Sequence, residues 1–164
     1  MNNIKLQGID KDGALKEFTL ADFAGKKVVL YFYPKDDTPV CTEEAKSFRD
    51  NIEKLSKYAV VVGVSADDTK SHEDFMKKYH LNFPLLADEE QKLSEKFEVL
   101  KDKIADGKRA IERSTFVIDE KGKIEKAWRD IDINGHVEEI DHKLVISVKF
   151  GTKNPRKITR ILFY

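Results

Sequence analysis

Hydrophobic positions along this chain fall into short blocks that switch between strand-like and helix-like spacing. Lys5 to Leu20 holds brief mixed runs broken by Asp12-Gly13, which predicts a small hairpin. Ala21 to Lys27, with Gly25 inside it, predicts a turn. Val28-Val29-Leu30-Tyr31-Phe32-Tyr33 is apolar or aromatic at every position, so both faces must be covered; it predicts a central strand ended by Pro34. Ala45, Phe48, Ile52 and Leu55 recur at spacings of 3, 4 and 3, one stripe of a helix beginning near Pro39. Val60-Val61-Val62-Gly63-Val64 predicts a second buried strand. Residues 28–65 therefore read as a β–α–β unit with parallel strands and a right-handed crossover.

Further on, a helix is expected over Thr69–His80, with Phe75, Met76 and Tyr79 inward, and another around Glu89–Phe97 on Leu93 and Phe97. Phe83-Pro84 between them is expected to cover the sheet end. Ser114–Asp119 and Lys123–Trp128 alternate about Glu120-Lys121-Gly122, an antiparallel hairpin in which Trp128 packs on the sheet. A last helix starts at His136–Ile140. This order predicts an α/β protein of thioredoxin-like fold, a mixed central sheet flanked by helices on both faces. Residues 1–140 read as that domain. Residues 141–164 read as an atypical basic C-terminal tail packed on it, strand-like at Val145-Ile146-Ser147-Val148, turn-like at Gly151–Pro155 and alternating again over Ile158–Tyr164.

Composition narrows the function classes. At 164 residues the chain suits one domain, and 40% apolar residues can build its core. Thirty Lys and Arg balance thirty Asp and Glu, so no global charge draws the protein to nucleic acid or an anionic membrane. Only the tail is lopsided, with six cations against Asp141. The longest apolar run, Val28–Tyr33, is far too short to span a bilayer, and MNNIKLQGID lacks the apolar stretch of a secretory signal. A cytoplasmic protein is expected.

A single cysteine, Cys41, excludes an internal disulfide, a Cys-x-x-Cys centre and any multi-cysteine metal site. A lone cysteine is commonly a small buried hydrophobe. Its setting argues for chemistry instead. Thr38 reads as an N-cap and Pro39 as the first helical residue, which puts Cys41 in the first turn. Helix amides and the positive end of the dipole favour a thiolate there, and the thiolate is the nucleophile. Glu43 and Glu44 compete for the same helix end, so the site needs a cation; Lys35, Lys46 and Arg49 are the local candidates.

The run Tyr31-Phe32-Tyr33-Pro34-Lys35-Asp36-Asp37-Thr38-Pro39-Val40-Cys41-Thr42-Glu43-Glu44-Ala45 resembles the active-site segment of peroxiredoxins, in particular the bacterioferritin-comigratory (Q-type) subgroup. Pro34, Thr38 and Cys41 meet its Pro-x-x-x-Thr-x-x-Cys pattern. The likeness continues through Gly63-Val64-Ser65, Asn82 to Asp88, Arg113 to Asp119 and Gly135 to Glu139. It implies that Cys41 is the peroxidatic cysteine, with Arg113, Thr38 and Pro34 around it. The implied reaction is thiol-dependent reduction of hydrogen peroxide or organic hydroperoxides through a Cys41 sulfenic acid, without metal or other cofactor. Many Q-type members carry a resolving cysteine five residues later, where this chain has Lys46. The reductant is therefore expected to be an external thiol (thioredoxin, glutaredoxin or a small thiol), with the protein a monomer or weak dimer. Val40 stands where the subgroup often has Gly, and the tail after Ile140 departs from the family's closing helix.

Other readings remain open at this point. A peroxide sensor or chaperone-like binding protein would use the same cysteine without turnover. A folded non-catalytic relative would bind a partner through its basic tail. A Cys–His hydrolase would need His72, His80, His136 or His142, none of which sits in a catalytic motif, and His72 is expected to be solvated. A zinc site at Cys41 lacks ligand spacing.

Overall fold

The computed structural model describes residues 4–105 and 107–150. The Asp12-Gly13 break closes a hairpin of β1 (Leu6–Ile9) and β2 (Leu15–Phe18), its turn pinned by Asp10, which accepts from the amides of Asp12 and Ala14. Leu20–Phe23 forms a 3₁₀ turn inside the expected loop. The β–α–β unit follows as β3 (Val28–Phe32), α1 (Pro39–Asp50), the short α2 (Ile52–Leu55) and β4 (Val60–Ser65). The stripe from Ala45 to Leu55 is interrupted at Asn51, whose side chain donates back to the Ser47 carbonyl. β3 and β4 are parallel, Val28 opposite Val60 and Phe32 opposite Val64.

After α3 (Thr69–Tyr79) the chain enters β5 (Leu85–Ala87), a three-residue strand parallel to β4 that the sequence reading did not anticipate. Phe83 before it is buried. α4 (Lys92–Lys96) is shorter than the Glu89–Phe97 expectation, because Asp88 rather than Glu89 organises its start, accepting from the amides of Leu93 and Ser94. A separate two-stranded sheet, β6 (Leu100–Ala105) with β7 (Lys108–Ile111), was also unanticipated. β8 (Ser114–Ile118) and β9 (Ile124–Trp128) form the second hairpin.

Among the described residues the main sheet runs β2-β1-β5-β4-β3-β8-β9, with parallel pairs at its centre and antiparallel strands outside. Alternation along β3 divides the core. Val29 and Tyr31 face a cluster with Phe48, Phe75, Val137 and Leu144, while Val28, Leu30 and Phe32 face Leu20, Leu93, Phe97 and Phe116. Helices thus cover both faces, as the mixed-sheet reading requires.

α5 spans His136–Phe150 and corrects the strand-like reading of Val145–Val148. Val137, Ile140 and Leu144 repeat at helical spacing and are buried, and packing of that stripe outweighs the β-branched preference of the following residues. The expectations for Gly151–Pro155 and Ile158–Tyr164 lie outside the described residues.

Candidate active site

The end of β3 sets the site. At Pro34 the chain leaves the sheet, crosses residues 34–38 and turns into α1, so a loop, a helix start and the end of a central strand meet. Thr38 occupies the N-cap with extended backbone, and its carbonyl accepts the Thr42 amide at 2.8 Å. Its side chain does not cap the helix as the sequence suggested. The hydroxyl donates to the Lys35 carbonyl at 2.8 Å instead, a short loop that competes with capping. The first-turn amides keep no side-chain cap from it, and the Oγ1 lone pairs remain acceptors.

Cys41 is 2% exposed and sits on the face of the sheet shared with Val29, Tyr31, Ala45 and Phe48. The cation beside it comes from far along the chain. Arg113 immediately precedes β8, and antiparallel pairing of Phe32 with Ser114 brings that residue to the end of β3. Arg113 Nη2 donates to Cys41 Sγ at 3.3 Å, and Nη1 donates to Glu44 Oε1 at 2.7 Å. Burial works against the charge on Arg113, but Glu44 and Cys41 outweigh it and hold the guanidinium above its ordinary value. The planar fork serves the two partners from separate nitrogens in a fixed geometry, which a freely rotating ammonium does not offer.

Two of the local cations are engaged elsewhere. Lys46 pairs with Glu43 at 3.7 Å and lies over the Tyr79 ring, while Arg49 bonds Asp50 and the Tyr79 carbonyl.

Glu44, expected only as a competing charge at the helix end, is 1% exposed and takes part in the site itself. Burial pushes its carboxyl up to about 7 against the pull of Arg113, and its Oε2 has no hydrogen-bond partner. The signal was available: Cys41, Glu44, Ala45 and Phe48 share one helix face, and a carboxylate on a buried stripe demands a cation. Tyr31 lies beneath, its ring stacked on Phe48 at 4.4 Å and its hydroxyl also buried without a partner. Burial, then Glu44 and Cys41, hold that phenol protonated.

Pro34 is exposed on the rim of an open cleft of about 480 Å³, facing residues of β7. Val40, beside the sulfur in the chain, is half exposed and apolar. Of the histidines, His136 bonds Thr115 and lies edge-on to Trp128, which packs on the sheet as expected. His72 corrects the solvated reading: it is fully buried. It stands three residues before Phe75 and four before Met76, on the same inward stripe of α3.

A thioredoxin-like sheet with an arginine-bonded cysteine in the first turn after β3 defines a class of thiol redox proteins. A model of the AhpC/TSA family matches residues 1–127, and the chain belongs to that family. Peroxiredoxin Bcp of Bacillus subtilis is 50% identical over 123 residues, 73% of this chain and 78% of its own. The bacterioferritin comigratory protein of Xanthomonas campestris superposes with a TM-score of 0.79 at 36% identity, over 87% of this chain and 90% of that one. A cysteine-to-serine mutant of Xylella fastidiosa PrxQ gives 0.80 at 37% identity, over 89% and 90%. The chain is accordingly a peroxiredoxin of the Bcp, or Q-type, group, a thiol-dependent peroxidase, here with one cysteine. Among the described residues no helix is long and apolar enough to cross a membrane.

Proposed function

We propose that Cys41 is the peroxidatic cysteine of a one-cysteine cycle reducing hydrogen peroxide and organic hydroperoxides, completed by an external thiol. The observation that carries the reading is the 3.3 Å hydrogen bond from Arg113 to the sulfur of the chain's one cysteine. The Cys41 thiolate attacks the terminal peroxide oxygen, the O–O bond breaks, and the leaving oxygen takes a proton to depart as water or an alcohol. Arg113 stabilises the thiolate and the charge shared by the two oxygens in the transition state. Thr38, its own proton committed to Lys35, accepts the peroxide O–H and orients it. Pro34 shapes the loop in front of the sulfur.

The resulting sulfenic acid condenses with an external thiol, releasing water and leaving a mixed disulfide, which a second thiol reduces. Thioredoxin, glutaredoxin with its small-thiol pool, or a small thiol alone are the candidate donors. Position 46, a lysine engaged with Glu43, offers no internal resolving thiol. Steady-state peroxide consumption with each donor in turn is the test. Many equivalents consumed per chain, and none by Cys41→Ser, is the expected result. Oxidation that stops after one equivalent with every donor would establish the sensor reading instead.

A further inference from the structure

A second polar cluster gathers around the loop that carries Pro34 and Thr38. Its centre is Asp36, five residues before Cys41 and 7% exposed. Asp36 Oδ1 accepts the Tyr33 hydroxyl at 2.6 Å, and Oδ2 accepts the Ser71 hydroxyl at 2.8 Å and faces His72 Nδ1 at 2.7 Å. The Asp36 amide donates to Asp67 Oδ2, which also accepts from Ser65. On the other side of the His72 ring, Nε2 lies 2.9 Å from the Leu86 carbonyl of β5.

The partners fix the protons. A main-chain carbonyl can only accept, so Nε2 carries a hydrogen. Asp36 receives two hydroxyl donors besides the ring, the surroundings of an ionised carboxylate, so Nδ1 donates as well. A fully buried imidazole with acceptors at both nitrogens is an imidazolium. Burial opposes that charge, while Asp36, the Leu86 carbonyl and Asp67 favour it, and the balance lies above the ordinary histidine value. Among the described residues, the titratable groups facing the ring are Asp36 from the loop, Asp67 from the β4–α3 turn, and Tyr33 at the end of β3.

We propose that His72 is a positioning residue of the peroxidatic site, an imidazolium that clamps Asp36 and so fixes the loop leading to Thr38 and Cys41. Losing one proton leaves a nitrogen lone pair facing an acceptor, the Leu86 carbonyl where Nδ1 keeps its hydrogen for the Asp36 carboxylate, and removes the positive charge from the Asp36 contact. The clamp then weakens and the loop loosens. The device rests on the peroxidase reading for its consequence, but not for its protonation state.

Nitrogen-15 NMR of the histidine side chains in the reduced full-length protein, followed from pH 6 upward, reads the clamp directly. Both His72 nitrogens should keep their protons past about pH 6.5, the ordinary histidine value. Amide signals of residues 35–38 should shift with the same midpoint. Stopped-flow oxidation of Cys41 should slow through that midpoint in the wild type. His72→Gln should be roughly tenfold slower at pH 7, as for one lost charge-assisted hydrogen bond, and should lack that alkaline limb. Asp36→Asn should also lose the limb while keeping an acceptor for Tyr33. A His72 nitrogen already bare at about pH 6.5, or an oxidation rate unchanged through the His72 midpoint, overturns the proposal. Failure to consume peroxide at any pH overturns the peroxidase reading, with the NMR result standing apart from it.

Discussion

Arg113→Ala isolates the buried ion pair beside the sulfur, and its effect on stability should depend on pH in a way set by Glu44. In the wild type the Glu44 carboxyl titrates near 7 in the folded protein, against a usual 4.5. The folded state therefore binds the proton more tightly, and this group's contribution falls as pH rises from about 4.5 to about 7, then levels off. Without Arg113 the attraction holding Glu44 down is gone, so its carboxyl titrates higher still and the decline continues past pH 7. At pH 6 the carboxyl is mostly neutral in both proteins. The substitution then costs about 1–3 kcal/mol, the usual range for stripping partners from buried polar groups. Between pH 6 and 8 the difference should widen by up to about 1.4 kcal/mol, the equivalent of one pKa unit. Urea unfolding at pH 6, 7 and 8, with Cys41→Ser in both backgrounds to remove the thiol's own titration, measures this. Adding Glu44→Gln should flatten the pH dependence. A difference that stays constant from pH 6 to 8 would refute the assignment of Glu44 as the buried acid.

Thr38→Val, which keeps the β-branched shape but removes the peroxide acceptor, should slow Cys41 oxidation by about 10- to 100-fold, while Thr38→Ser retains most of the rate. Stopped-flow fluorescence compares them, and an unimpaired valine variant would remove Thr38 from the mechanism. Gly63→Ala should destabilise the fold by about 1–3 kcal/mol in urea. Its new Cβ would lie 2.9 Å from Leu85 Cδ2 and 3.0 Å from the Tyr31 ring, so a neutral result would mean that the core under α1 yields more readily than its packing implies.

What the sequence disclosed followed from how strongly each segment was patterned. β3 was legible because every position is apolar, and α1 because a Thr-Pro start precedes a clean stripe. β5 is three residues long behind Pro84, too short for any period to show. β6 is mostly exposed and β7 buries only Ile111, so no hydrophobic face announces them. α5 overran its expected end because burial of Ile140 and Leu144 overrode β-branched propensity. At the site, the cysteine, the threonine and the arginine were readable as a pattern. The bond between Cys41 and Arg113 depends on the β3–β8 register, which no local signal encodes. His72 was misplaced because a polar residue on an inward stripe was counted as solvent-facing, and the burial of Glu44 on the stripe of Cys41, Ala45 and Phe48 went unread.

The central claim, that Arg113 keeps the Cys41 sulfur poised for attack on a peroxide, is tested most directly by mixing the reduced protein with one equivalent of hydrogen peroxide. Stopped-flow would follow the reaction, with dimedone trapping and intact mass read at the end. The account predicts oxidation orders of magnitude faster than free cysteine, a single dimedone adduct on Cys41, and a large loss of rate in Arg113→Ala. A wild-type rate equal to that of free cysteine, or one untouched by removal of the guanidinium, would contradict it.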